Sequence, residues 1–438
     1  MGAMGTDVAM RTGRGLDVLS LGSFVVLGLP DGMLGTAWPS MRQGFGVPIA
    51  DLGLILLVIT VGSVAVSAFV GALIRRFGVP ALLTASGACA AVGAIGFAVA
   101  PGIWLIFAVS ALLGVAAGMM DGGLNTAIGL SGRPRLLNLL HAAYGVGTTI
   151  GPLLITAAIL VSSWRPAYVV LAILDLVIAA SWLRQQRAER ARYGGRPRPA
   201  SSGVAPSEVA AAGGAAAGGV TQDPATPDVA PVAPAWSRRR SAFVVAAGMA
   251  IFFIYTGVEV AAGQWEASFC RGHLGLSAAA AGIATFAYWG ALTGVRIILA
   301  LLPRPIPPAT VVRWGSGIGA VAAAVIWWQP GTAVTLAGFV LLGAALAGVF
   351  PALIALTPGR IGRARAQHVI AWQVGAAAAG GSGLSALIGL LIGAVGLAVL
   401  GPCLTVLAVL LVTGNALLAR TAPASRSSPG CGQRSIQP

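Results

Sequence analysis

Residues 18–40 read VLSLGSFVVLGLPDGMLGTAWPS, an apolar run with one carboxylate, Asp31, in its second half. A helix needs about 20 apolar residues to cross the hydrocarbon core of a bilayer, and this run is long enough. An ionised Asp deep in such a span costs about 3 kcal/mol on insertion scales, so it needs a partner, a proton or a function. The stretch therefore predicts a membrane span that carries a functional acidic residue.

Composition extends this reading to the whole chain. Of its 438 residues, 57% are hydrophobic and only 9% are charged, and the mean hydropathy is +0.88. Soluble domains carry about 25% charged residues, so the chain is a polytopic membrane protein. Twelve runs reach span length: 18–40, 51–74, 81–100, 103–129, 138–161, 166–183, 241–264, 277–301, 309–328, 332–356, 368–391 and 395–418.

The runs fall into two sets of six, separated by a polar segment rich in Arg, Ala, Gly and Pro. Such a segment is too polar to pack against a core, and we expect it to be a disordered linker. The predicted fold is an all-α membrane protein with two six-helix bundles. Its parts are an N-terminus at 1–17, a bundle at 18–183, a linker at 184–240, a bundle at 241–418 and a tail at 419–438.

The net charge of +15 comes entirely from arginine, which supplies all 27 basic residues. These arginines lie between the apolar runs rather than along one face, which argues against a nucleic-acid partner. With the N-terminus inside, 24 arginines lie on the cytoplasmic side, and only Arg42, Arg165 and Arg271 lie opposite. The positive-inside rule then places both termini and the linker in the cytoplasm of a multi-pass inner-membrane protein.

Internal repetition suggests that the two bundles are pseudo-symmetric. In the first span of each bundle an acid precedes a glycine by four residues, Asp31 in one and Glu259 in the other. Aligning the fifth span of each bundle on Gly147 and Gly375 also pairs Tyr144 with Trp372.

The segment 71-GALIRRFG-78, between the second and third spans, resembles the signature Gly-x-Leu-x-Asp-Arg-x-Gly of the major facilitator superfamily. Gly71, Leu73, Arg76 and Gly78 match it, whereas Arg75 stands where Asp is usual. This resemblance implies the two-bundle fold. It also implies that Gly71, Arg75, Arg76 and Gly78 form a conformational loop, which here lacks the Asp of the usual charge latch.

Four stretches look most like the fucose/galactose/glucose proton symporter branch of that superfamily: LPDGMLGTAWP (29–39), GMMDGGLN (118–125), LLNLLHAAYGVGTTIGP (136–152) and YTGVEVAAGQWEASF (255–269). Members of that branch carry functional acids in the first and fourth helices, and Asp31 and Asp121 match those positions. The resemblance thus implies that this pair couples transport to protons. It indicates the substrate only loosely, as a small polar solute for which a sugar is one candidate.

The superfamily fold lines its cavity with the first, fourth, seventh and tenth helices. The spacing of Asp121 and Asn125 places both on one helix face. The candidate solute-binding residues are Asn125, His141, Tyr144, Glu259, Trp372 and Gln373. A structural reading competes for several of them, since a lone His among apolar residues is usually a structural hydrogen-bonding residue. Asp175, in the sixth span, receives no role.

Two other functions stay open. GVGTTIGP at 145–152 lacks the Lys-Ser/Thr of a phosphate loop, and its Gly147–Gly151 step has the spacing of closely packed membrane helices. A similar Gly-Pro element marks the fifth helix of many drug/proton antiporters, so efflux remains an alternative. An intramembrane enzyme is disfavoured because His141, His273 and His368 are scattered.

We therefore expect a monomeric transporter, not an enzyme, with no cofactor and no metal site. Its partners are a small-molecule solute, protons and the lipid bilayer.

Overall fold

The computed structural model describes residues 14–131, 133–193 and 238–420. It is 90% helical, and the described residues contain no strand. Apart from one 3₁₀ turn at Leu397–Val399, the elements are α1 (Arg14–Phe45), α2 (Asp51–Ser67), α3 (Val70–Phe77), α4 (Val79–Val99), α5 (Ile103–Leu130), α6 (Pro134–Val161), α7 (Arg165–Tyr193), α8 (Arg238–Gly272), α9 (Ala278–Leu301), α10 (Pro308–Trp328), α11 (Thr332–Leu346), α12 (Val349–Ile361), α13 (Arg363–Val395) and α14 (Leu400–Arg420).

Within the described residues, eleven helical segments are long and apolar enough to span a bilayer. The pair α2 and α3, bent by 54°, makes a twelfth when it is taken as one span. The helices α11 and α12 together form a single span, Thr332–Ile361. The predicted fold class, an all-α membrane protein with twelve spans, is confirmed.

Each half is held together by matching helix pairs. In the first half α1 packs against α6, and in the second half α8 packs against α13. The halves meet mainly through three pairs, α1 with α8, α2 with α13 and α6 with α9, and α1 also contacts α9. Large aromatic side chains fill the cores, and Trp38, Trp182 and Trp265 are fully buried. Two of these indole N–H groups bond main-chain carbonyls, which satisfies them inside the bilayer.

Glycine contacts reveal the register of the internal repeat. Gly147 of α6 lies so close to the Val25 carbonyl of α1 that a Cβ would not fit, and Gly380 of α13 meets the Phe253 carbonyl of α8 in the same way. Val25 precedes Asp31 by six residues, as Phe253 precedes the acid of α8. The two contacts are therefore equivalent.

This register corrects the alignment made from the sequence. Gly147 corresponds to Gly380, five residues beyond Gly375, so Tyr144 corresponds to Ala377 and not to Trp372.

A second pair of contacts supports the same register. Gly151 of α6 packs on the Leu29 carbonyl of α1, with 2.6 Å between a Cβ built on the glycine and the oxygen. At the equivalent positions of the other half, Leu384 of α13 packs on Gly257 of α8. In the second half the glycine therefore lies on α8 and the leucine on α13, the reverse of the first half. A small residue faces a large one at this position in both halves.

Two boundaries differ from those expected. Residues 184–193 continue α7, and 238–240 begin α8, so these ends of the predicted linker are helical. The predicted disorder of the remaining linker lies outside the described residues, as do most of the N-terminal segment 1–17 and nearly all of the tail 419–438.

The segment predicted as a conformational loop is also mostly helical. Gly71, Arg75 and Arg76 lie in α3, and only Gly78 forms the turn, with a φ of 84°. A glycine suits this left-handed backbone because other residues are strained there. Arg75 and Arg76 are exposed, and neither forms an ion pair with a described residue.

The repeat register makes a testable prediction. Gly147→Ala and Gly380→Ala should each lower stability by at least about 1–3 kcal/mol, because a methyl group would overlap a main-chain carbonyl. Gly375→Ala is the matched control, since no atom lies within 4 Å of its Cβ position. Thermal unfolding of the purified variants measures this. Equal loss at Gly375 and Gly380 would contradict the register.

Candidate functional site

The acid of the first span is bonded across a helix pair. The Tyr144 hydroxyl of α6 donates a hydrogen bond to the Asp31 carboxylate of α1. The two helices come this close because Gly28 of α1 lies directly against the Tyr144 carbonyl, where a side chain would not fit. The predicted residues Asp31 and Tyr144 therefore form one unit.

The second predicted acid lies nearby on α5. Asn125 donates through Nδ2 to Asp121 Oδ1 at 2.8 Å, as the i, i+4 spacing predicted. Electrostatic interactions reach from Tyr144 to Asp31, Asp121 and Glu259. Carboxylates of both halves thus interact with a single tyrosine hydroxyl, and Asp31 is the one that it contacts directly.

The second half contributes a denser network around Glu259 of α8. The Tyr255 hydroxyl of the same helix lies in hydrogen-bond contact with the Glu259 carboxylate, and the Tyr288 hydroxyl of α9 donates to its main-chain oxygen at 2.7 Å. Arg296 of α9 places Nη2 at 3.7 Å from Glu259 Oε1. This network joins one acid, two tyrosine hydroxyls and one guanidinium.

Sequence reasoning missed Arg296. It was counted among the cytoplasmic arginines, but it lies inside α9, and its Nε donates to the Ala347 carbonyl at 3.1 Å. The available signal was its position five residues before the end of the predicted span 277–301. Long cations near span ends usually extend to the interface, which made the cytoplasmic assignment the ordinary one. Here the guanidinium turns to Glu259 instead.

The candidate site keeps some exposed surface. The side chains of Glu259 and Arg296 keep 15% and 29% of their exposed surface, and Asp31 and Asp121 are also partly exposed. Beyond them, toward the end of α1, Met33, Ala37 and Trp38 are fully buried. The exposed surface of the site therefore lies toward the side where α1 begins.

The opposite end is closed by direct contacts between the halves. Gln264 of α8 donates through Nε2 to the Asp31 main-chain oxygen at 2.8 Å, and its own backbone lies against Gly35. Arg271 donates to the Ser40 hydroxyl at 2.8 Å nearer the surface. We call this set of contacts the outer closure.

The remaining predicted solute-binding residues have other contacts in the structure. The ring of His141 packs edge-on against Phe24, with centroids 5.9 Å apart. Trp372 is 56% exposed and lines an apolar groove, and Gln373 is buried within the second half, where it accepts a hydrogen bond from Thr357 at 3.0 Å. Of the candidate residues, the structure brings together Asp31, Asp121, Asn125, Tyr144 and Glu259.

Two further acids lie outside this group. Asp175 of α7 is 7% exposed, and its main chain packs against Gly87 of α4. Glu266 of α8 is fully buried, and neither carboxylate oxygen has a hydrogen-bond partner among the described residues. Glu266 interacts electrostatically with Tyr288 of the network around Glu259.

Twelve spans in two halves, with a polar, partly exposed cluster where the halves meet, define a membrane transporter. The sequence profile of the Major Facilitator Superfamily matches residues 20–386. The chain belongs to this superfamily.

Solved structures share the fold. A variant of the nucleoside transporter NupG superimposes with a TM-score of 0.69 at 12% identity, over 92% of this chain and 99% of the other. FucP, a transporter of the same superfamily in the outward conformation, gives a TM-score of 0.56 at 15% identity, over 92% and 98%. No curated protein sequence matches the chain.

The outer closure makes a prediction. A Cβ at Gly35 would lie 2.6 Å from the Gln264 carbonyl, so Gly35→Ala should hold the halves apart at this end. We expect bifunctional maleimide cross-linking of a Ser40→Cys, Arg271→Cys pair to fall several-fold in this variant. Gly44→Ala, where no atom lies within 4 Å, should leave the yield unchanged. An unchanged yield with Gly35→Ala would mean that this contact does not control the closure.

Proposed function

We propose that the chain is a proton-coupled secondary transporter that moves a small polar solute by alternating access. Asp31 and Asp121 carry the coupling protons. Tyr144, Asn125 and Glu259 contact the solute, and Arg296 joins them from α9.

One observation carries this proposal. Carboxylates from both halves interact with Tyr144 at the interface, and they keep exposed surface on one side while the outer closure lies on the other. An acid in such a place exchanges protons with one compartment at a time. Opening the opposite end would expose the same acids to the other compartment, which is the requirement for coupling a proton gradient to solute movement.

The charges suggest how the cycle runs. The Arg296 guanidinium lies beside Glu259, but within the described chain Asp31 and Asp121 form no ion pair with any cation. A proton on each acid removes the cost of an uncompensated charge when the site closes to water. Release of the protons on the other side restores the charges and resets the site.

The polar groups at the site fit a hydroxyl-bearing solute. Carboxylates accept hydrogen bonds, whereas the Tyr144 hydroxyl, the Asn125 amide and the Arg296 guanidinium can donate them. Sugars are the first class to test, and the name of NupG adds nucleosides. A panel of both, screened for thermal stabilisation of the purified protein, identifies ligands because a solute that binds only the folded state raises its apparent stability.

The site also makes a prediction for Asp31→Asn and Asp121→Asn. Asn resembles the protonated acid in size and neutrality but cannot release a proton. In proteoliposomes each variant should lose accumulation driven by a pH gradient by at least about tenfold, while exchange of labelled for unlabelled solute continues.

The control is Asp175→Asn, which removes a buried acid away from the site and should keep gradient-driven accumulation. A purely structural role for Asp31 or Asp121 would instead lower folded yield, or reduce accumulation and exchange together. Normal accumulation in both variants would refute the coupling proposal.

We further propose that the termini and the linker are cytoplasmic, which makes the water-accessible side the inner side. Reporter fusions at residue 215 and at the C-terminus should both give cytoplasmic signals. A periplasmic signal from either fusion would refute the proposed orientation.

The direction of transport separates symport from efflux. The second candidate, a drug or metabolite antiporter, is favoured by the Gly-Pro element at 145–152, whose Gly147 and Gly151 join α6 to α1. An inward proton gradient should drive solute into right-side-out vesicles in a symporter. Expulsion of preloaded solute under that gradient would select the antiporter.

A further inference from the structure

The tenth span is broken at the level of the candidate site. Its first part, α11, ends at Leu346, and its second part, α12, begins at Val349. Residues Leu346, Ala347 and Val349 are at most 1% exposed. Carbonyls at a helix end need other hydrogen-bond partners, and no water is available to them in a buried, apolar setting.

Side chains of the candidate site supply these partners. Arg296 Nε donates to the Ala347 carbonyl at 3.1 Å, and the Tyr255 hydroxyl lies 3.0 Å from the Leu346 carbonyl. Both residues also contact Glu259. The state of this one carboxylate is therefore connected to two carbonyls of the break.

The Tyr255 hydroxyl has two acceptors but only one proton. It lies within hydrogen-bond reach of the Glu259 carboxylate and of the Leu346 carbonyl, and it cannot donate fully to both. A hydrogen bond to an ionised carboxylate is roughly twice as strong as one between neutral groups. When Glu259 is ionised, the Tyr255 hydroxyl therefore donates to Glu259 rather than to the Leu346 carbonyl. When Glu259 is neutral, the hydroxyl donates to the Leu346 carbonyl.

The groups facing Glu259 define what neutralises it. They are Arg296 and Tyr288 from α9, Tyr144 from α6, and Tyr255 on its own helix. Arg296 is the only cation among them, and at 3.7 Å from Nη2 to Oε1 it leaves room for closer pairing. A proton, or a donor group of a bound solute, would reduce the charge that Tyr255 meets.

We infer that Tyr255 is a positioning residue that couples the charge of Glu259 to the bend of the tenth span. When Glu259 is charged, the Leu346 carbonyl is uncapped and α12 is free to pivot on α11. When Glu259 is neutral, Tyr255 caps Leu346 and fixes α12. The use of this hinge in transport depends on the proposed function, but the hinge itself requires neither solute nor gradient.

Electron-electron distance measurement between two spin labels tests the hinge. Gly359→Cys lies on α12 with no atom within 4 Å of its Cβ position, and Ala309→Cys is exposed at the start of α10. The four native cysteines are replaced by Ala. The distance distribution is recorded in detergent with Glu259 and with Glu259→Gln, first with Tyr255 and then with Tyr255→Phe.

We expect Glu259→Gln to narrow the distance distribution in the chain that keeps Tyr255. In the Tyr255→Phe chain it should leave the distribution unchanged, because the hydroxyl that caps the Leu346 carbonyl is absent. A matched control is Tyr168→Phe, which removes a buried hydroxyl in the other half and should keep the response to Glu259→Gln. A response that persists with Tyr255→Phe overturns the inference. Lack of any response to Glu259→Gln overturns it as well.

One further variant and one further measurement complete the test. Arg296→Lys preserves the positive charge beside Glu259 but lacks the planar guanidinium that reaches Ala347, so it should broaden the distribution. If Tyr255→Phe is not recovered as a folded protein, hydrogen exchange of residues 349–361 replaces the comparison. Exchange must then be slower in Glu259→Gln than in the native chain, and equal rates refute the hinge.

Discussion

A carboxylate inside a bilayer must be hydrogen-bonded, hydrated or neutralised, and this constraint organises the first half of the molecule. Asp31 obtains its donor from Tyr144 on another helix, so α1 and α6 have to touch. They touch because Gly28 and Gly147 remove the side chains that would separate their backbones. The glycine contacts are thus a consequence of where the acid lies, and they also hold the half together.

The two halves meet the same constraint in different ways. Asp31 is bonded by a neutral phenol from a neighbouring helix, whereas Glu259 has a tyrosine on its own helix and a guanidinium from α9. In the described chain Asp31 and Asp121 form no ion pair, unlike Glu259. Under the proposed function they therefore respond most strongly to a proton, while Glu259 can exchange one partner for another. This asymmetry favours proton coupling in the first half and conformational control in the second.

The sequence predicts the spans well because run length and charge depletion are local properties. The acids were also identifiable, since each interrupts an apolar run. Arg296 was not, because a cation near a span end is ordinarily at the interface, and only Glu259 on another helix explains its inward position. The alignment of Gly147 with Gly375 was wrong for a similar reason. An alignment based on one helix cannot show which carbonyl of its partner a glycine must approach, and in the folded chain Gly380, not Gly375, meets the equivalent carbonyl.

Asp31 combines two connections that would otherwise be distant. Its carboxylate accepts from Tyr144 within the first half, and its main-chain oxygen accepts from Gln264 of the second half. Pro30 precedes it and cannot donate to the helix, so α1 is locally free to bend at this point. Under the proposed function, a change in the bonding of the carboxylate has only one residue to cross before it reaches the contact that closes the outer end. The proposed proton site and the outer closure are therefore joined by one stretch of α1, without a longer chain of intermediates.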